Sequence, residues 1–135
     1  MKRIQTVVAV FLKDGRLLME HREKDKKVYA GFLMCPSGHV EPGEKLERTL
    51  EREMNEELGI EIEKSRLLFA IDDRDPFSGR EFTHNFMLVE SYNGVISNSR
   101  ESVGLEWLTY EKAMKQDPPP VVKKLLARLR GNSLF

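Results

Sequence analysis

The chain has 135 residues, and its 22 Lys and Arg residues balance its 22 Asp and Glu residues to give a formal net charge of zero. This length suits one domain with its own core, and a hydrophobic content of 40% excludes a disordered chain. The balanced charge removes the bulk attraction that nucleic-acid coats and membrane-surface proteins use. We therefore expect a single domain over residues 1–135, without a membrane or nucleic acid as its partner.

The cysteine content and the hydrophobic runs of the chain indicate the cellular compartment of the protein. Cys35 is the single cysteine, so an internal disulfide is excluded, which is typical of a reducing compartment. The longest aliphatic or aromatic run covers six residues, 7–12, whereas a membrane-spanning helix needs about 20. We expect a cytoplasmic protein in which this run forms a strand.

The chain is predicted to open with a β-hairpin. Two β-favouring segments, residues 6–12 and 17–21, flank Asp14 and Gly15, a dipeptide typical of tight hairpin turns. The charged residues 23–27 predict a solvated loop. Residues 36–43 are then rich in turn formers, which indicates that a new element begins shortly afterwards.

That element is predicted to be a helix over residues 46–58, a stretch without Gly or Pro. An apolar residue recurs every four positions, so one stripe of the helix faces the core. The stripe consists of Leu46, Leu50, Met54 and Leu58. Gly59 follows, and glycine commonly ends helices because it adopts the left-handed conformation readily.

Strands and a final helix are predicted beyond residue 60. Strand-like segments lie at residues 66–71, 82–89, 95–96 and 105–108. Three prolines at 118–120 lead into an amphipathic helix over 121–130, since proline is tolerated in a first helical turn. Mixed strands with two or three helices indicate an α/β or α+β sandwich.

The zero net charge conceals an acidic region. Residues 41–64 contain nine acidic and four basic residues, a local net charge of minus five. On the predicted helix, Glu53, Glu56 and Glu57 stand at i, i+3 and i+4, so their carboxylates crowd one face and repel. Carboxylates without a Cys/His cluster favour a hard cation such as Mg²⁺ or Mn²⁺ over zinc. On spacing alone, a solvated acidic helix face is the alternative.

Residues 38–60 resemble the Nudix box, whose pattern is G-x5-E-x7-R-E-U-x-E-E-x-G-U with U an aliphatic residue. The seven fixed positions are occupied by Gly38, Glu44, Arg52, Glu53, Glu56, Glu57 and Gly59, and the two aliphatic positions by Met54 and Ile60. The opening hairpin, a Glu six residues before a Trp (Glu101 and Trp107) and the Pro-rich lead into the last helix are similar to the MutT-like branch.

This resemblance implies a Nudix-type α/β/α sandwich with a central mixed β-sheet. It also implies that Glu56 and Glu57 are the central metal ligands, helped by Glu53 and by the backbone carbonyl of Gly38. Because glycine has no Cβ, a metal or phosphate can approach the main chain closely there. Glu101 is the further metal-ligand candidate.

Catalytic roles are implied in the same way. Arg52 is similar to the family arginine that holds the box glutamates by ion pairing, and Glu44 to the residue that orders loop and helix. Glu53 is the first candidate for the general base, with Glu101 as competitor, and Glu57 is expected to be essential for turnover.

Substrate choice lies outside the box. Arg22 is a candidate for binding substrate phosphates because a guanidinium matches phosphate geometry; a solvated arginine is the alternative. The resemblance implies a Mg²⁺-dependent pyrophosphohydrolase acting on a nucleoside triphosphate or a related nucleoside diphosphate derivative, with water attacking phosphorus. ADP-ribose or a dinucleoside polyphosphate is the alternative substrate, and a catalytically silent nucleotide-sensing module is the remote alternative. Monomer and homodimer both stay open.

Overall fold

The computed structural model of the chain describes residues 3–22, 33–76, 78–97 and 102–135. Its strands are β1 (Ile4–Val10), β2 (Leu12–Lys13), β3 (Arg16–Arg22), β4 (Leu33–Met34), β5 (Ser37–His39), β6 (Glu61–Arg74), β7 (Glu81–Asn93) and β8 (Ser102–Leu108). Its helices are α1 (Leu46–Leu58), α2 (Tyr110–Lys115) and α3 (Pro120–Gly131). Among the described residues, a helix with the length and apolar character needed to cross a membrane is absent.

The described strands form two sheets of four strands each. In the first sheet the order is β5-β1-β7-β6, and β1 runs parallel to β7 but antiparallel to β5. In the second sheet β3 pairs antiparallel with β2, β4 and β8. The first sheet is therefore mixed, as predicted.

The first sheet lies between two hydrophobic cores, because β1 sends alternate side chains to opposite faces. Val7 and Ala9 pack in one cluster with the apolar stripe of α1. Val8 and Val10 pack in the other cluster with α3. Helices thus cover both faces of a mixed sheet, and the predicted α/β/α sandwich is confirmed.

The predicted hairpin is wrong for most of its length. Only Leu12 and Lys13 pair with Leu17 and Arg16. The main part of the first segment belongs to β1 and pairs in the other sheet, because its residues 7–10 are at most 1% exposed. A strand buried on both faces gains most by lying between two partner strands.

The box helix agrees with the prediction at both ends. α1 covers Leu46–Leu58, and Gly59 follows in the left-handed conformation with φ of 70°. The C-terminal helix also begins in the proline run, with proline in its first turn. Both boundaries depend on local conformational preferences, so the sequence predicts them well.

The strands after α1 differ from the prediction. β6 and β7 are longer than predicted and pair antiparallel along almost their whole length. The predicted strand at residues 95–96 is wrong, since Val95 is 85% exposed and this segment is not in a sheet. The chain turns away at Gly94, and the Ser97 amide donates to the carbonyl oxygen of Leu58 at 3.2 Å. A single domain over residues 1–135 stays a prediction.

Candidate active site

Gly38 lets β5 approach α1 closely. A Cβ placed on Gly38 would overlap Cγ and Cδ of Glu53 and lie 2.6 Å from its Oε1. The φ of Gly38 is outside the left-handed region, so space, and not backbone conformation, is what excludes a side chain here. The first glycine of the box therefore makes room for the glutamate that lies fifteen residues later.

Arg52 joins the loop to the helix. Its Nε and Nη2 donate to Oε2 and Oε1 of Glu44, both at 2.9 Å, which is the bidentate geometry that makes arginine–carboxylate pairs strong. Its Nη1 donates to Oε1 of Glu53 at 2.9 Å, and Nη2 also donates to the backbone oxygen of His39 at 3.1 Å. One guanidinium thus holds Glu44, Glu53 and the end of β5 together.

Glu44 is held as a carboxylate. Its Oε1 also accepts hydrogen bonds from Thr49 Oγ1 at 2.7 Å and from the Glu41 amide at 3.1 Å. The hydrogen bonds from Arg52, Thr49 and Glu41 lower the pKa of Glu44 to about 2. The same contact raises the pKa of Arg52, first through the hydrogen bond to Glu44. Both partners therefore remain charged at neutral pH.

Glu53 differs from Glu44 in its protonation behaviour. Burial raises the pKa of Glu53, against the lowering effect of the Arg52 hydrogen bond, and the negative charges of Glu56 and Glu44 add to the increase. A carboxylate with a raised pKa accepts a proton more readily at neutral pH, which is what a general base requires.

Glu56 and Glu57 complete the predicted cluster. Glu56 Oε2 lies 3.9 Å from Arg52 Nη1, and Oε2 of Glu57 is buried. Within the described ranges, no three His, Cys, Asp or Glu residues are arranged to hold a metal ion together. Arg52 contacts two of these carboxylates, Glu53 at 2.9 Å and Glu56 at 3.9 Å.

The chemistry of the donor set nevertheless fits a hard divalent ion. The side chains offer carboxylate oxygens, the ligands that such ions prefer, and all three glutamates project from two turns of α1. The bare Cα of Gly38 leaves the adjacent main chain accessible to a ligand. Binding would require the carboxylates to converge further.

Two predicted site residues remain. Glu101 is outside the described residues, so its placement stays a prediction. Arg22 ends β3, where its Nη1 lies 3.8 Å from Glu20 Oε1. Burial lowers the pKa of His39, and the positive charges of Arg80 and Arg22 lower it further.

Sequence reasoning missed two contributors to the network around Arg52. They are Thr49, which donates to Glu44, and the carbonyl of His39. The sequence offered a signal for Thr49, because a hydroxyl residue lies beside the apolar stripe of the helix. The role of the His39 carbonyl could not be predicted from the sequence, because every residue has a backbone carbonyl and the residue type does not distinguish this one.

Comparisons with known proteins point to the same family that residues 38–60 resemble. The family described as "NUDIX domain" matches residues 1–129. CTP pyrophosphohydrolase from Escherichia coli (strain K12) is 30% identical over 126 residues, which are 93% of this chain and 90% of that protein. 8-oxo-dGTP diphosphatase from the same strain is 28% identical over 130 residues, covering 96% and 98% of the two chains.

A solved structure extends the similarity to the fold. The crystal structure of MutT protein from Methanosarcina mazei Go1 has a TM-score of 0.84 at 19% identity and covers 100% of this chain and 99% of that chain. At this identity the likeness concerns the fold alone. Since the family model matches residues 1–129 and Arg52 joins the box residues Glu44 and Glu53, the protein belongs to the Nudix family and is a hydrolase acting on phosphoanhydrides.

Proposed function

We propose that this protein is a Mg²⁺-dependent pyrophosphohydrolase that cleaves a nucleoside triphosphate into a monophosphate and pyrophosphate. The observation that carries the proposal is the chain of contacts from Gly38 through Glu53 and Arg52 to Glu44. Family members typically depend on a metal. The two relatives described above are named for CTP and for 8-oxo-dGTP, which are both nucleoside triphosphates.

The reaction is limited by charge and positioning, because water must reach a phosphorus that negative oxygens shield. In this proposal Glu56 and Glu57 hold Mg²⁺, with Glu53, the Gly38 carbonyl and Glu101 as further ligands. When bound, the ion neutralises phosphate charge and orients the phosphates.

The protein's own groups supply the remaining steps. Glu53, whose pKa is raised by burial, takes a proton from the attacking water. Arg52 restrains the Glu53 carboxylate through Oε1 and is itself held by the ionised Glu44. Arg22 binds a substrate phosphate, since its guanidinium can donate two parallel hydrogen bonds to it. Glu101 stays the competitor of Glu53 for the role of general base.

Neutral variants of the box glutamates test this assignment. We expect Glu53→Gln and Glu57→Gln each to lower kcat by about 10²-fold or more, as loss of an acid–base or charge-stabilising group does. Glu51→Gln is the matched control, because Glu51 lies on the same helix, is 45% exposed and pairs with Arg48 at 3.6 Å. Circular dichroism and the unfolding midpoint show whether each variant is folded. Unchanged turnover in a folded Glu57→Gln variant would refute the assignment.

A substrate panel tests the class of nucleotide. Nucleoside triphosphates, oxidised deoxynucleoside triphosphates, ADP-ribose and a dinucleoside polyphosphate are assayed with Mg²⁺, with Mn²⁺ and with EDTA. We expect pyrophosphate and a monophosphate from the triphosphates with Mg²⁺, and no product with EDTA. Turnover confined to ADP-ribose or the dinucleoside polyphosphate would replace the proposed substrate. Nucleotide binding without any turnover would instead support the sensing module.

A further inference from the structure

Glu20 is a buried carboxylate that the mechanism above does not use. It is 8% exposed and lies on β3, the central strand of the second sheet, between Met34 on β4 and Leu105 on β8. Burying a carboxylate in such a position is unfavourable unless another charge compensates it. The choice of Glu over an apolar residue at this position therefore has a cost that calls for a reason.

Arg22 supplies a compensating charge. The two residues are separated by one position on β3, and their side chains meet although the pairing with β8 shifts register between His21 and Arg22. Glu20 Oε1 lies 3.8 Å from Arg22 Nη1, and the two side chains are 10% and 23% exposed. This ion pair is mostly shielded from water, and its attraction is correspondingly stronger than that of a surface pair.

Glu20 continues the face of β3 that carries Leu18. Leu18 precedes Glu20 by two residues on β3 and packs in one cluster with Leu50 and Met54 of α1. Arg22 ends the strand. Met34, which pairs with Glu20, lies three residues before β5, the strand that contains Gly38.

We propose that Glu20 is a positioning residue that holds the Arg22 guanidinium ready to bind a phosphate group of the nucleotide substrate. A free arginine side chain loses rotamer freedom on binding, and a neighbouring carboxylate that already restrains it lowers this cost. The inference rests on the proposed function, in which Arg22 contacts the polyphosphate. Its effect is on substrate binding, and Glu20 itself does not touch the substrate.

A double-mutant cycle between Glu20 and Arg22 tests the proposal. We expect Arg22→Gln to raise the KM for a nucleoside triphosphate about 10-fold or more, and Glu20→Gln about 3- to 10-fold, with the change falling on KM and not on kcat. In the Arg22→Gln background, Glu20→Gln is expected to have no further effect on KM. Glu20→Asp keeps the charge and should recover part of the loss.

The matched control is Glu106→Gln. Glu106 lies on the neighbouring β8 opposite Met19, and its carboxylate contacts His21 Nε2 at 3.2 Å, on the other face of the sheet. Its replacement removes a carboxylate from the same sheet but should leave KM unchanged. Unfolding midpoints are measured for all variants, and Glu20→Met, which removes the charge at similar volume, serves for the cycle if Glu20→Gln does not fold.

The outcomes separate this inference from the proposed function. An equal rise of KM on Glu20→Gln with and without Arg22, an unchanged KM, or a loss of kcat alone would overturn the positioning role while the hydrolase assignment stands. If the wild type hydrolyses no triphosphate, the proposed function fails, and the same cycle is measured with the dissociation constant of inorganic pyrophosphate. Additive effects on that constant would refute the role of Glu20, and coupled effects would support it.

Discussion

Replacing Gly38 with alanine tests whether the close approach of β5 to α1 sets the geometry of Glu53. The new Cβ would overlap Cγ and Cδ of Glu53 and lie 2.6 Å from Oε1, whereas carbon atoms prefer separations of about 3.5–4.0 Å. Since Cγ is among the overlapped atoms, rotating the carboxylate alone does not relieve the clash. The Glu53 side chain must move by about 1 Å or more, or the strand must retreat.

This displacement has two measurable consequences. Overpacking of this kind lowers the free energy of unfolding by about 1–3 kcal/mol. Glu53 also leaves its hydrogen bond with Arg52 Nη1, and a misplacement of about 1 Å at a catalytic group costs about 10²-fold in rate. We therefore expect Gly38→Ala to lower both stability and kcat.

Urea unfolding and steady-state kinetics measure the two effects. Gly104→Ala is the control, because Gly104 also lies in a strand and a Cβ there would meet nothing within 4 Å. In a Glu53→Ala background the atoms nearest to the new Cβ are gone, so Gly38→Ala should destabilise the protein less. A Gly38→Ala variant with wild-type stability and kcat would refute the reasoning.

Two further predictions concern groups with shifted pKa values. The pKa of Glu44 is about 2 in the folded protein against an ordinary value of 4.5, so its stabilising contribution is complete above about pH 5 and disappears as the pH falls towards 2. We expect Glu44→Gln to be less stable than the wild type at neutral pH, and thermal unfolding across this range should show the difference shrinking on acidification; a constant difference would contradict the pKa. Burial, and secondarily the charge of Glu20, raises the pKa of the Cys35 thiol far above its usual range. Cys35 is therefore expected to react with a disulfide reagent only on unfolding, and rapid reaction of the native protein would contradict this.

The box helix was predictable because its determinants are local. Apolar residues every four positions specify the buried stripe of α1, and the left-handed conformation of Gly59 ends it. The same helical spacing puts Glu53, Glu56 and Glu57 on neighbouring turns without reference to the rest of the fold. The family and the donor chemistry follow from these residues, so they too are readable from the chain.

Strand partners were less predictable because pairing is decided by distant residues. The Asp14-Gly15 signal correctly marks a turn, but it does not reveal that β1 leaves the hairpin to lie between β5 and β7. Burial on both faces determines this arrangement, and that burial arises only when α1 and α3 cover the sheet. The prediction of a strand at residues 95–96 was wrong for the same reason. An apolar pair forms a strand only where a partner strand is available, and this segment is exposed.

Spacing within 23 consecutive residues specifies the box helix and its carboxylate cluster, and the family resemblance that these residues carry implies polyphosphate chemistry. Only the packing of the whole chain puts Gly38 against Glu53, directs Arg52 to the carbonyl of His39, and buries Glu20 between Met34 and Leu105. These contacts join residues from different strands and loops. Their geometry is set by how the sheets and α1 pack, and packing is a property of the whole chain.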